Sequence, residues 1–261
     1  MRAAASAFVV EGFKSIGVAL DAGLVPESLY LSPDAMADTR VAALVERAHG
    51  AGSAVFTLGT GVLERVSDTV TPQPVLAVMR FVDVPLDEVC TGVRETVALV
   101  VVCADVRDPG NAGTIVRSAA GAGARAVIFC EGSVDPYNPK TARSSAGALF
   151  QVPLALGGAP DAVLAALATA GFRLIGASAH GGTDYSHCDL GGRVAIVVGN
   201  EAWGVDPAVA ALLHDRITIP LSSGVESLNV GMAAAILCFE AGRQRREQAT
   251  LSGGSSVAGA A

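Results

Sequence analysis

The chain has 261 residues, 51% of them hydrophobic, and a formal net charge of −7. That length suits one large domain or two ordinary ones with a sizeable core, and the acidic balance excludes a broad electrostatic nucleic-acid footprint while leaving room for a small local one. No apolar stretch reaches the roughly 18–20 residues needed to span a bilayer without Gly or a charge interrupting it, and the opening "MRAAASAFVVEGFKS" lacks signal-peptide design because Glu11 and Lys14 break its apolar run, so a cytoplasmic protein with no membrane partner is expected.

Residues 7–81 alternate short strands with helices. "AFVVEG" reads as a strand and "GFKSIGVALDAG" as a helix stopped by Gly23. "SLYLS" is a strand, Asp34 to Gly50 a helix, "SAVFTL" a strand, "GTGVLERVSD" a short helix and "VLAVMRF" a further strand. Together they predict a small αβα unit. The poorly patterned "VDVPLDEVCTGVRE" follows as a link between domains. From Val97 the pattern is richer: "VALVVVCAD" is a continuous apolar run, as in a parallel strand buried on both faces. A Gly-rich turn, a helix from Ala112 to Gly121 and the strand "AVIFC" come next. A Ser/Arg segment near 138–149 leads to "FQVPLAL", and a helix from Asp161 to Ala170 precedes the strands "RLIGAS", "VAIVVG" and "RITIP". A closing helix starts at Val230, and "TLSGGSSVAGAA" reads as a disordered tail. Repeated βα units predict a mostly parallel sheet covered on both faces. The expected division is 1–82, a linker 83–96, 97–247, and a tail from 248.

The five cysteines are odd in number and widely spaced, with no C-x-x-C pair. Neither a disulfide framework nor a metal site is expected, and buried free thiols are. Only Lys14 and Lys140 are lysines; the other cations are arginines, which suit forked recognition of phosphate.

Chemistry concentrates in three loops, each following an apolar strand: "DVRDPGNAGTIVRSAAGAG" (105–123), "VVGNEAWGVDP" (197–207) and "LSSGVESLN" (221–229). In open parallel sheets ligands sit outside the carboxyl ends of the strands, where such loops lie. Glycine permits close backbone approach, and Asn, Glu and Ser fix polar ligands. Any one loop is also explained as a turn with a helix cap, supplied by Asn111 or Asn229. Three in one chain exceed what capping requires. "GAGARA" (121–126) fits G-x-G-x-x-A on paper, but its glycines end a helix and precede a strand. That is the reverse of a dinucleotide fingerprint, so a nicotinamide-dependent oxidoreductase is set aside. "SSAGA" lacks the G-x-S-x-G elbow of a serine hydrolase.

In order and spacing the three loops resemble the signature motifs of the SpoU (TrmH-like) branch of the SPOUT RNA methyltransferases: "DPGNAGTIVRSAAGAGARAVIF", "IVVGNEAWGV" and "ITIPLSSGVESLNVGMAAAI". The N-terminal "AFVVEGFKSIGVALDAG" and "SLYLS" resemble that family's substrate-binding domain, similar to ribosomal proteins that bind kinked RNA. Relatives carry residues ahead of the "FVVEG" strand, so a missing piece of RNA-binding arm is expected there. The resemblance implies an α/β fold: a C-terminal parallel-sheet domain tied in a deep trefoil knot, an exception to the rule against threaded chains, plus a small N-terminal α/β domain. It also implies a homodimer whose subunits pack beside the site, and S-adenosylmethionine held bent in the knot, mainly by backbone groups.

Carried over by position, cofactor contacts would come from Ala177, Ser178, Gly199, Asn200, Ile219 and Leu228. Asn111, Arg117, Glu201, Ser227 and Asn229 match residues implicated in catalysis or RNA positioning. Gly231 departs from the family, where serine is common. The implied reaction is methyl transfer to a ribose 2′-hydroxyl of RNA, with ribosomal RNA of the large subunit expected first and transfer RNA second. A non-catalytic RNA-binding relative is the rival reading, disfavoured by the presence of all five polar residues. Arg117, expected one turn into its helix, would clamp a phosphate and the developing 2′-oxyanion and not act as a base, since arginine essentially never deprotonates. Glu201 is expected to tie the loops together. Lys14, Arg107, Lys140 and Arg143, with Arg125, would form a local RNA-binding patch.

Overall fold

A computed structural model describes residues 6–67, 71–91 and 97–254. The N-terminal sheet contains β1 (Ala7–Glu11), β2 (Ser28–Leu31), β3 (Ala54–Thr57) and β4 (Val75–Arg80) in the order β1-β4-β2-β3. Only the β2/β3 pair is parallel. Alternate residues Phe8, Val10, Leu29 and Leu31 are buried with Ile16 and Ala19 of α1 (Phe13–Asp21) and Val41 and Leu44 of α2 (Thr39–Gly50). The period of two thus directs one face of the sheet onto both longer helices. The opposite face leaves Val9 and Phe56 exposed, so the expected covering on both sides is not formed by these two helices. Short α3 (Leu63–Val66) completes the unit.

The segment read as a linker contains structure of its own among its described residues. Asp83 bridges to Leu154, and α4 (Leu86–Cys90) follows; residues 92–96 lie outside the described residues. Beyond it runs a seven-stranded sheet, parallel in every pairing: β5 (Ala98–Cys103), β6 (Ala126–Cys130), β7 (Leu154–Gly158), β8 (Arg173–Ala177), β9 (Thr183–Asp184), β10 (Arg193–Val198) and β11 (Asp215–Thr218). The order is β7-β6-β5-β10-β8-β11-β9. Every residue of β5 and β6 is buried, as continuous apolar runs require of strands covered on both faces. The helices are α5 (Pro109–Gly121), α6 (Pro139–Ser144), α7 (Pro160–Thr169), α8 (Pro207–Ala210) and α9 (Val230–Gly254). Helix α9 therefore runs through 248–254, a stretch expected to be tail; residues 255–261 lie outside the described residues. Helix α5 ends at Gly121 and β6 follows, the reversed context inferred for "GAGARA".

One apolar cluster spans both sheets. At their junction Phe81 stacks on Tyr137 with centroids 4.2 Å apart, and Phe8 lies 4.7 Å from the same ring. The Tyr137 hydroxyl donates to Asp83 Oδ1 (2.9 Å) and accepts from the Val82 N–H (2.9 Å). Gly147 (φ +87°) brings its turn so close to α1 that an added Cβ would lie 3.0 Å from Val18. An interface this apolar holds two domains in one arrangement. Four of the five cysteines are buried and none forms a disulfide; burial pushes the thiols of Cys130 and Cys238 up to about 12.

Candidate active site

Because β5, β10, β8 and β11 are adjacent and parallel, the loops at their carboxyl ends converge. They enclose a cavity of about 830 Å³, within the range of small-molecule sites. Its lining includes Asn111, Ala177, Ser178, Gly199, Asn200, Glu201, Ile219, Ser227, Leu228 and Asn229. That is every expected cofactor contact and every expected catalytic residue except Arg117; none of the four cations expected to bind RNA lines it.

A directed chain of hydrogen bonds ties the three motifs. Asn229 caps α9: its Oδ1 accepts from the N–H groups of Gly231 (2.9 Å) and Met232 (3.2 Å). Its Nδ2 must then donate, and does so to Asn111 Oδ1 (2.8 Å). Asn111 Nδ2 in turn donates to Glu201 Oε1 (3.1 Å). The same carboxylate accepts from the Asp108 N–H (3.0 Å) and the Arg107 N–H (3.3 Å). Each amide has one workable orientation, so the chain runs from helix cap to carboxylate. Burial alone would raise the Glu201 carboxyl, but the Asn111 amide and the backbone N–H groups of Asp108, Glu201 and Arg107 hold it below the usual glutamate value of 4.5.

Asn111 does not cap α5. Asp108 does, accepting from the Asn111 N–H at 2.9 Å, and Pro109 occupies the first helical position. Proline lacks the N–H that would be orphaned there, so Asp-Pro starts the helix three residues earlier than expected and frees the Asn111 side chain for the cross-link. Helix α5 packs against α6 through Gly113, whose added Cβ would strike Ser144 and sit 2.7 Å from the Thr141 carbonyl. Gly199 is equally confined, against the backbone of Gly204.

Asn200 is buried and its side chain is committed within the protein: Nδ2 donates to the Asp105 carbonyl and carboxylate (3.2 and 3.1 Å), and Oδ1 accepts from the Ala202 N–H. Ser178 Oγ donates to the His180 carbonyl at 2.7 Å. Ser227 and Glu226 line the cavity, exposed and without a hydrogen-bond or ionic partner among the described residues. Sequence reasoning passed over Glu226, Trp203 and the anchoring Asp105.

Arg117 lies eight residues after Pro109, over two turns into α5 and not one. It is exposed, has no ion pair among the described residues, and borders a separate depression of about 410 Å³ with Ser145, Ala146, Gln151 and Phe239. The other cations differ in availability. Lys14, at the start of α1, is exposed and has no ion pair among the described residues. Lys140 Nζ is 3.8 Å from Asp108. Arg143 lies 3.7 Å from the buried carboxylate of Glu11, across the domain junction. Arg107 Nε donates to Asp105 Oδ1 at 2.8 Å. Arg125 does not join the patch: its guanidinium donates to the carbonyls of Glu88, Val89 and Thr91 at the end of α4, a C-terminal capping role. Among the described residues no three His, Cys, Asp or Glu side chains group to hold a metal ion, and no helix is long and apolar enough to cross a membrane.

Comparison with known proteins bears on the same loops. The model of the SpoU rRNA Methylase family matches residues 98–239, and that of an MRM3-like substrate binding domain matches residues 1–77. The chain is 32% identical to the 23S rRNA (guanosine(2553)-2′-O)-methyltransferase RlmP of Bacillus subtilis, covering 91% of this chain and 89% of that protein. Among solved structures, the SpoU methyltransferase AviRb from Streptomyces viridochromogenes superposes with a TM-score of 0.83 at 28% identity, covering 95% of this chain and 93% of that one. An AdoMet-bound rRNA methyltransferase from Sinorhizobium meliloti gives 0.81 at 28% identity, covering 93% and 89%. The chain belongs to the SpoU rRNA methylase family of methyltransferases.

Proposed function

We propose that the protein transfers a methyl group from S-adenosylmethionine to a ribose 2′-hydroxyl of RNA, with large-subunit ribosomal RNA as its substrate. The observation that carries this is the joining of three strand-end loops around one cavity by the Asn229–Asn111–Glu201 chain, in a family member similar to RlmP. The cavity suits the cofactor. Ile219, Leu221 and Leu228 offer apolar contact, and the Glu226 carboxylate complements a cation. The residues holding it would be Ala177, Ser178, Gly199, Asn200, Ile219 and Leu228, with Asn200 and Ser178 acting through their backbones because their side chains are engaged elsewhere. When bound, S-adenosylmethionine supplies an electrophilic methyl group on a sulfonium centre.

The chain's own task is to present a poor nucleophile in line with that group and to stabilise charge as its proton leaves. Arg117, charged and unpaired, clamps an RNA phosphate and the developing 2′-oxyanion, and the proton passes to phosphate or water. Ser227, with a free hydroxyl, contacts the substrate. Glu201, Asn111 and Asn229 set the distance between the loops. Lys14, Lys140, Arg107 and Arg143 bind the RNA backbone around the site, with the substrate-binding domain spanning 1–82 and the catalytic domain beginning at 97.

A homodimer is part of this reading. Met232, Ile236 and Phe239 form an exposed apolar stripe on α9 at helical spacing, next to the depression that holds Arg117. A second copy packed there places Arg117 at the subunit boundary. The trefoil knot belongs to the same proposal, supported by β10 lying between β5 and β8 although it follows both in sequence, and so does a cytoplasmic location, where ribosomal RNA is made available.

The test is tritiated S-adenosylmethionine with RNA from a host lacking the gene. Label in large-subunit RNA, at a position resistant to alkaline cleavage, is the expected result. Label in transfer RNA would replace the substrate, and cofactor binding without transfer to any RNA would replace the enzyme by a binding protein.

A further inference from the structure

Trp203 is the only tryptophan in the chain, and it is 59% exposed at the rim of the cavity. An indole left in water forgoes the large apolar burial that usually fixes it, so its placement calls for a reason. The backbone beneath it is firmly held. Asn200 and Gly204 exchange N–H···O bonds of 2.8 and 2.9 Å, Ala202 N–H donates to Asn200 Oδ1, and Gly204 takes φ +73° to close the turn. Asn200 Nδ2 fastens this turn to Asp105. Trp203 therefore stands at the tip of a pinned turn.

One face of the indole is occupied. The Arg107 guanidinium lies over the ring at 5.2 Å from its centroid, a cation–π distance, and is itself fixed by Asp105 at 2.8 Å. With 59% of the residue exposed, the indole keeps surface free for a further contact. By contrast, the Tyr30 and Phe56 rings of the N-terminal sheet stack on each other at 5.4 Å. Trp203 and Arg107 border the same loops as Asn111, Glu201 and Ser227, the last of which is assigned to the substrate.

We propose that Trp203, backed by Arg107, is a stacking platform for an unpaired RNA base adjoining the methylated ribose. This rests on the methyl-transfer reading and adds a positioning residue to it. A 2′-hydroxyl brought into a cavity belongs to a nucleotide pulled out of regular stacking, and such bases are recognised by aromatic or guanidinium planes. Every base has a π-face, so the platform fixes position and leaves base identity to other contacts.

The test uses Trp203→Ala and Trp203→Phe in the full chain, with whichever RNA fraction accepts label. Trp203→Ala is expected to raise KM for RNA about 5- to 150-fold, the range for losing one base–aromatic stack. It should change kcat less, and leave the S-adenosylmethionine Kd as in wild type. Trp203→Phe restores most of the loss. Because the indole is unique, wild-type fluorescence should be quenched by RNA in the presence of S-adenosylhomocysteine, and not by S-adenosylhomocysteine alone. A KM within twofold of wild type in Trp203→Ala overturns the platform. Quenching by S-adenosylhomocysteine alone with a weakened cofactor Kd overturns it in favour of a cofactor contact, and loss of the dimer in sedimentation with unchanged KM overturns it in favour of a subunit contact. Wild-type protein that quenches with RNA yet transfers no methyl group would overturn methyl transfer and leave Trp203 as an RNA contact of a binding protein, not a platform beside a methylated ribose.

Discussion

The two ends of α5 (Pro109–Gly121) differ in how their polar side chains are used. At its start, Asp108 and Asn111 are fully engaged, the first in capping and the second in bridging Asn229 to Glu201. Two turns on, Arg117 has no ion pair among the described residues and faces solvent. A side chain whose donors and acceptors are all satisfied internally sets geometry. One left unsatisfied at a site is available to a ligand. In the proposed reading, therefore, Asn111, Asn229 and Glu201 are assigned to the frame and Arg117 and Ser227 to the substrate.

The largest expected effect tests the substrate end. Arg117→Ala should lower methyl transfer by about 10²–10³-fold, as removal of a donor to a developing oxyanion does. The cofactor Kd should not move, because Arg117 does not line the cavity. Single-turnover transfer and calorimetric cofactor titration measure the two. If cofactor affinity fell with activity, the two ends of α5 would not be separable in this way.

Glu201→Gln tests the frame. An amide replaces a carboxylate that accepts from two backbone N–H groups and an Asn amide, and its NH2 must face a donor. A loss of about 1–3 kcal/mol is expected, read as a lowered Tm. The pH dependence has a definite sign. The folded-state pKa of Glu201 lies below its ordinary 4.5, so its stabilisation is fully present above that value and is lost as pH falls through the lowered one. The Tm gap between wild type and Glu201→Gln should therefore hold steady from neutral pH down to about 5 and narrow as pH falls below the ordinary 4.5. A gap that widened on acidification would remove Glu201 from the ionised frame.

The fold and the cavity were largely legible because they depend on local patterns. Continuous apolar runs mark β5 and β10, and Gly, Asn, Glu and Ser cluster after them. What was not legible depends on tertiary partners. Arg125 belongs with the expected patch by sequence position, but its partners are carbonyls of α4 (Leu86–Cys90), a helix hidden in a stretch that looks like linker. Asn111 and Asp108 are both good caps; Pro109 was the local signal that decided between them. Trp203 reads as one letter of a motif, and only the structure shows the indole outside and an arginine over it. The tail from 248 is read from its small and polar composition, while α9 continues through Gly254.

The smallest expected effect concerns Gly231, the position at which the family resemblance implies a serine. Here α9 (Val230–Gly254) meets α5: an added Cβ would lie 3.1 Å from Thr114 and 3.2 Å from Asn229 Oδ1. Thr114 is held by its own hydroxyl bond to the Gly110 carbonyl at 2.9 Å, so it yields by a few tenths of an ångström only with a shift of α5. Against this crowding, replacing glycine in the first turn of a helix reduces the freedom of the unfolded chain, a gain of about 0.4–1 kcal/mol. The two oppose each other, and Gly231→Ser should change stability by less than about 1 kcal/mol, or roughly 2–4 °C in Tm. Methyl transfer should stay within about fivefold of wild type, since 1 kcal/mol corresponds to a factor of about 5. A loss of tenfold or more at unchanged Tm would mean that the small displacement reaches the Asn229–Asn111 bond. The frame would then be tuned more finely than its hydrogen bonds alone require.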